Sequence, residues 1–471
     1  MIEQIDKQHP SDTQSPSDPS RRRLFKYTAA AAAVAMATGA GSWVKSRVEG
    51  VPVEGDFPVP VDDSILKPFN QRNWIFSQAG SKKNWADFPE RDVEFAKLIG
   101  ENWKFRDGMH KLMISGTEPT WKNNKPGYTQ LDWAVGMAGQ HPLSVLGKAS
   151  KYGIPDSPGM MSWEQHNLAP KQWKFGSKQE ASQHIKRAAK LFGATRCGIT
   201  TIDPRFNYDP MYDLIKSQEI SWDELGWKPK TVIVLLHEME YEAIRTAPAL
   251  PSIGTVNKAY VDMAVQAGQI SDFIRRLGYK AVASHNDMIN KVAYGMKAGL
   301  GEAARNGALI TPNFGPRVRI SAILTEMDFV EYDVPRRFGI QEFCEHCKLC
   351  ADACPADAIS KDDKPSFKPT YEGADNPALN WAGQPGVLKY YNDAKKCFKF
   401  WSDNGIGCAQ CIKTCPWNKP DFWHHRIIDA SNTFTGGEIH TVMREMDSLF
   451  GYGNMEIEKA NLLFWSGDVK S

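Results

Sequence analysis

Cys344-Glu345-His346-Cys347-Lys348-Leu349-Cys350-Ala351-Asp352-Ala353-Cys354-Pro355 is the stretch that decides how this chain is read. Its thiols are spaced x2, x2 and x3 and end in Pro. A second block, Cys397 and then Cys408-x2-Cys411-x3-Cys415-Pro416, repeats the ending. Runs of close thiols followed by Pro are the ligand pattern of bacterial four-iron clusters, which carry single electrons. Zinc takes four ligands in two separated pairs, and disulfide frameworks seldom repeat such spacing. In a two-cluster, ferredoxin-like domain the last thiol of each run serves the other cluster. Cluster one is therefore expected on Cys344, Cys347, Cys350 and Cys415, and cluster two on Cys397, Cys408, Cys411 and Cys354. The long gap between Cys397 and Cys408 inserts a loop, Phe398–Gly407, that carries Trp401. This places an aromatic group beside cluster two, with that cluster facing a cofactor pocket and cluster one facing solvent and the donor. The remaining cysteine, Cys197, reads as a small buried residue.

Working outward, most of the 471 residues lie upstream of these thiols, so a bare electron carrier does not account for the length. The net charge of +2 argues against nucleic acid or an anionic membrane surface as the main partner. The chain begins with a polar, Ser- and Pro-rich segment. Ser20-Arg21-Arg22-Arg23-Leu24-Phe25-Lys26 follows, and then an Ala-rich apolar stretch to Trp43. Paired arginines before a weakly apolar segment form a twin-arginine export signal, and the apolar run is short for a membrane span. The expected organisation is a signal at 1–43, a Trp-rich pocket-capping region at 44–180, a mixed core at 181–335, a two-cluster domain at 336–425 and a C-terminal extension at 426–471.

The core reads as alternating helices and strands, an α/β (α+β) body. Helices are expected near 180–192, 254–277 and 288–298, and strands at Thr231–Leu236, Ala281–Ala283 and Arg317–Leu324. On the long helix Val256, Tyr260, Met263, Ala267, Ile270, Ile274 and Leu277 step by four and three, forming one buried stripe. Tyr260 lies on it, and a buried phenol needs a partner, which an ordinary core carbonyl also supplies. Arg317 and Arg319 share one strand face, either lining a polar pocket or lying in water. Turns at Ser284–Asp287, Gly299–Gly307 and Thr311–Gly315 would bring backbone amides close to a large ligand, although helix caps explain such glycines equally well.

These features together resemble the corrinoid- and iron–sulfur-dependent reductive dehalogenases. The resemblance is carried by Phe273-Ile274-Arg275-Arg276-Leu277-Gly278-Tyr279, Ala298-Gly299-Leu300-Gly301, Ile310-Thr311-Pro312-Asn313-Phe314-Gly315 and the lead-in FGIQEFCEHCKLC from Phe338. It implies a corrinoid-binding core of nitroreductase-like fold ahead of the two [4Fe-4S] clusters. It also implies a base-off cobamide reduced to Co(I) through them, and removal of halide from an organohalide as the last step of anaerobic respiration. By the same resemblance the catalytic Tyr falls on Tyr260, the pocket Asn on Asn286, and the pocket Arg on Arg319, with Arg305 as the alternative. Cofactor contacts fall on Thr246, His285, Asn286, Thr311, Pro312, Asn313, Phe314, Gly315 and Trp401. The implied setting is the outer face of the cytoplasmic membrane, with a small hydrophobic anchor subunit and a quinone- or hydrogenase-linked donor. Two rival readings are an epoxyqueuosine-reductase-like corrinoid enzyme and a non-catalytic two-cluster carrier.

Overall fold

The computed structural model describes residues 49–75, 77, 125–138, 168–213, 218–374, 383–419 and 455–467. The export signal and much of the Trp-rich region, Trp85, Trp103, Trp121 and Trp163 included, lie outside these residues.

The body is built on a four-stranded sheet of β1 (Arg196–Thr201), β2 (Thr231–Glu238), β3 (Ala281–Ser284) and β6 (Val318–Thr325), in the order β1-β2-β6-β3. Every pairing is antiparallel, so the body is of the α+β kind. A short hairpin, β4 (Glu302–Ala303) with β5 (Leu309–Ile310), leads into β6.

Alternation of the strand residues gives the sheet two apolar faces. Val232, Val234, Leu236, Ala322 and Leu324 face helix α5 (Lys291–Lys297), where Ala293, Tyr294 and Met296 complete one core. Ile233, Leu235 and Ile323 face the other way, toward α2 (Lys178–Leu191) and α4 (Leu250–Arg276). The stripe on α4 is buried as expected at Val256, Met263, Ala267, Ile270 and Ile274, while Tyr260 and Leu277 are half-buried. Each full apolar burial contributes about 1.5–3 kcal/mol, which is why packing rather than propensity holds the helix to the sheet. Pro251 opens α4 and Arg275 and Arg276 close it. Gly278 ends it at φ 84, and a Cβ there would lie 2.6 Å from the Lys171 carbonyl oxygen, so only glycine fits.

The cysteine region carries short helices α6 (Ile340–His346), α7 (Leu349–Asp352), α8 (Ala394–Asn404) and α9 (Gln410–Lys413). The expected aromatic loop between Cys397 and Cys408 is largely helical: α8 holds Cys397, Phe398 and Trp401 on consecutive turns. Helix α10 (Ile457–Ser466) is tied to α1 (Gln130–Ala138), with Asn461 and Trp465 donating to the buried Asp132 carboxylate.

Candidate active site and electron-transfer centre

Tyr260 leaves α4 where that helix crosses the end of the sheet. Strand β6 brings Arg319 beneath it, opposite His237 of β2. The Arg319 guanidinium carbon lies 4.5 Å from the centre of the Tyr260 ring. Its Nε is buried and has no hydrogen-bond partner among the described residues. Beyond Ser284 the chain turns sharply, with Met288 at φ 64. That turn places His285 against Tyr260, with ring centres 5.3 Å apart and Nε2 3.2 Å from the Tyr260 carbonyl oxygen. Asn286 follows in the same turn and is half-buried. Helix, strand and turn thus bring Tyr260, Arg319 and the His285–Asn286 pair to one place.

The turn is held from below. Lys291 donates to Ser284 Oγ and the Asp287 carbonyl, each at 2.6 Å. Asp287 accepts from the His285 amide at 2.9 Å. Burial pushes the Lys291 ammonium down to about 7, against the pull of Asp287. Burial likewise pushes His285 down to about 3, with Lys291 and Arg319 adding to it. His237, bonded through Nε2 to Ser321 Oγ at 2.7 Å, is brought to about 3 by burial and by His285. Both imidazoles are therefore neutral at working pH, and Arg319 is the permanent cation facing Tyr260. His237, Ser321 and Lys291 were not singled out from the sequence. His237 closes an otherwise apolar strand, but only the strand pairing puts it beside Arg319.

Of the two arginines expected on one strand face, Arg319 lies on β6 and Arg317 just before it, and neither lies in open water. Arg317 is 2% exposed and donates to the Met239 and Lys419 carbonyls and to Glu238. It fastens the sheet to the end of the cysteine region. Arg305 is not part of the Tyr260 group. It is wholly buried in the β4–β5 turn, and its guanidinium is committed to carbonyls of the cysteine loops. Thr246 is buried, its hydroxyl donating to the Ala243 carbonyl. Thr311–Gly315 forms a tight turn closed by reciprocal amide–carbonyl bonds of 3.0 Å. A Cβ on Gly315 would lie 2.1 Å from the Trp417 carbonyl oxygen, so this turn is pressed against the cysteine region. Pro312, Asn313 and Phe314 stay half-buried at its tip. Trp401 is half-buried beside Phe398, with ring centres 6.2 Å apart.

None of the nine cysteines is in a disulfide. Burial raises Cys415 well above its ordinary value, and Cys350, Cys344 and Cys347 add to the rise. Burial also raises Cys411, with contributions from Cys397, Cys408 and Cys354. The thiols influence one another mostly within two groups, each containing the last cysteine of the other run, and Cys350 also feels Cys411 across them. Backbone amides point at sulfur in the second set, Ala358 to Cys354 and Gln410 to Cys408. Among the described residues no three His, Cys, Asp or Glu side chains close on a single ion. Contrary to expectation, the first set is the more enclosed: Cys344, Cys347, Cys350 and Cys415 are buried, while the second set is half-buried. The β4–β5 turn covers the first run. The second set is the one that meets the active-site helix. Ala409 and Ile412 pack with Val256 and Tyr260, and Lys413 donates to the Ala247 carbonyl at 3.0 Å. Cys197 sits on β1, and burial lifts its thiol to about 12, as suits an unreactive packing residue.

A cavity of about 300 Å³ lies between the body and the segment 383–394, walled by Phe57, Trp74, Tyr208, Gln384 and Tyr391. Its walls belong to the α5 side of the sheet, and neither Tyr260 nor Arg319 lines it. This cavity is therefore distinct from the Tyr260 group.

Residues 343–418 match the 4Fe-4S double cluster binding domain family. A tetrachloroethene reductive dehalogenase of Desulfitobacterium hafniense strain Y51 is 38% identical, over 92% of this chain and 94% of its own. One of Dehalobacter restrictus is 32% identical over the same shares. A solved reductive dehalogenase structure, described with a mechanism for B12-dependent dehalogenation, superposes with a TM-score of 0.63 at 21% identity. The match covers 88% of this chain, which spans 50% of that one, and it establishes the fold. No helix among the described residues is long and apolar enough to cross a membrane. Identity of this degree along nearly the whole chain, ending in a double-cluster domain, means that the chain belongs to the reductive dehalogenases, oxidoreductases that cleave carbon–halogen bonds.

Proposed function

We propose that Tyr260 is the proton donor of the dehalogenation, that Arg319 and Asn286 complete its pocket, and that the eight clustered cysteines carry the electrons in. The observation behind this is the Arg319 guanidinium lying 4.5 Å from the Tyr260 ring centre with its Nε unpartnered, beside a neutral His285. Orphaned polar atoms in an enclosed site call for a polar ligand. The corrinoid expected of the family would be held there by Asn286, Pro312–Phe314 and Trp401, with Thr246, Thr311 and Gly315 shaping the walls. When bound, it supplies a reduced cobalt that breaks the carbon–halogen bond, in the base-off form expected of the family.

The chain's own part is wiring and proton delivery. Cys344, Cys347, Cys350 and Cys415 hold one cluster. Cys397, Cys408, Cys411 and Cys354 hold the other, whose loop packs against Tyr260. Carbon gains two electrons and one proton as halide leaves. Tyr260 gives up its phenolic proton to carbon, and solvent restores it between turnovers. Arg319 stabilises the negative charge that develops on the ring as the proton departs. The neutral imidazoles add no competing proton donor and leave that charge to Arg319.

The names of the relatives point to small chlorinated ethenes as substrates. The twin-arginine segment supports export to the outer face of the cytoplasmic membrane. There a small hydrophobic anchor subunit and a quinone- or hydrogenase-linked donor would complete an organohalide-respiring chain. The deciding experiment is metal analysis of the purified holoprotein together with halide release from tetrachloroethene under a low-potential donor. Cobalt alongside iron and sulfide, with chloride released, is the expected result. Iron and sulfide without cobalt would reject the assignment and leave a two-cluster carrier.

A further inference from the structure

Arg305 is wholly buried, yet it touches neither Tyr260 nor any carboxylate among the described residues. It projects from the β4–β5 turn into the cysteine region. Its Nε donates to the Cys344 and Cys347 carbonyls at 3.1 and 3.2 Å. Nη1 donates to the Ser360 and Asp362 carbonyls at 2.8 and 2.7 Å. Nη2 donates to the Cys344 carbonyl at 2.6 Å. The guanidinium also lies 3.9 Å from the centre of the Tyr390 ring. Every acceptor is a neutral carbonyl and the stacking partner is a neutral ring, so the fork is filled without a hydrogen bond to a carboxylate, and Asp363 acts on it only at longer range. Burying an unpaired cation is costly, and a structural clamp alone does not require one. The backbone loop it grips carries Cys344 and Cys347 of the first set of thiols.

We infer that Arg305 is a positioning residue for the first cluster that also raises that cluster's reduction potential, making it easier to load with an electron. A fixed cation favours the more negative, reduced form of a nearby cluster, and the enclosure of this set weakens solvent screening. None of the Arg305 hydrogen bonds reaches the second run, so the larger effect is expected on the first cluster. The inference rests on the assignment of cluster ligands above and concerns entry of electrons rather than dehalogenation.

The test is an EPR-monitored redox titration of full-length holoprotein carrying Arg305→Gln or Arg305→Lys. With the charge removed, one of the two midpoint potentials falls and the other holds. With the charge kept on Lys, the first midpoint stays near the wild-type value even though most of the fork is lost. Should Arg305→Gln shed one cluster outright, full iron content in Arg305→Lys still supports the role of charge. Loss of iron in both variants overturns it, leaving Arg305 a clamp. Unchanged midpoints in Arg305→Gln, an equal fall in both variants, or a common shift of both clusters also overturns it. Absence of cobalt would defeat the dehalogenase reading without touching these potentials.

Discussion

Arg305 and Arg319 stand in two regions of one body, and they are held in opposite ways. Arg305 grips the cysteine loops with every nitrogen engaged. Arg319 lies against Tyr260 with its Nε empty. In the cluster region the buried guanidinium spends all its donors on protein carbonyls. The Tyr260 region is a set of groups arranged around something still to arrive. A relay needs fixed electrostatics, because nothing but an electron passes through it. A catalytic pocket needs polar atoms left free for the molecules that enter it.

The sharpest way to break this contrast is to cross the two cysteine runs. Cys354→Ala alters the first run but is expected to destroy the second cluster, because Cys354 influences Cys397, Cys408 and Cys411. About half the iron should go, and turnover should be lost entirely. EPR showing loss of the first, enclosed cluster instead would uncross the wiring.

Tyr260→Phe comes next. Removing a proton donor of this kind costs about 10²–10⁴-fold in kcat. Iron and cobalt contents should match wild type, since Tyr260 packs near the second set without ligating it. Undiminished halide release would reject the role. Arg319→Met follows, with an expected loss of about 10²-fold in kcat and little change in KM. Arg319→Lys should recover part of it. If Arg319→Met instead raised KM alone, the arginine would be a binding group rather than a stabiliser of the developing charge.

The same contrast governs what could be read in advance. The thiols are close in sequence and their spacing is the chemistry, so Cys344 to Cys415 stood out without a structure. The stripe of α4 was legible for a similar reason, since helical periodicity needs only neighbouring residues. Tyr260 itself was not decided by periodicity, because a core tyrosine gives the same pattern; the family resemblance singled it out. Spacing in the resemblance favoured Arg319 over Arg305, but only the structure separates their surroundings: the strand register puts one opposite His237, and the hairpin turns the other toward the cysteines. The stretch from Cys397 to Cys408 read as a loop because its glycines lie at its far end, whereas its first half continues α8. Lys291 and Glu302 were missed because a buried charge looks like any surface residue in a sequence.

Glu302 gives the smallest and most quantitative test of how the body is joined to the cluster region. It is wholly buried, and it accepts the Ile340 amide at 2.8 Å at the start of α6. Arg337 lies 3.6 Å away but is half-exposed and shared with Glu342. Burial therefore dominates and lifts the Glu302 carboxyl from 4.5 to about 7, with the Ile340 amide and Arg337 pulling back. A carboxyl raised in the folded state binds its proton more tightly there than when unfolded. Its contribution is therefore complete below the ordinary carboxylate range and is lost as pH climbs through about 7. The loss is on the order of 3 kcal/mol, at about 1.4 kcal/mol for each unit of the shift. Glu302→Gln keeps an acceptor for Ile340 and has no charge to bury. The difference in melting temperature between Glu302→Gln and wild type should grow in favour of the substitution as pH rises from about 5 to about 8.5. If the Arg337 pair outweighed burial, the substitution would instead destabilise the protein most at high pH, so thermal melts of the two proteins across this range decide between them.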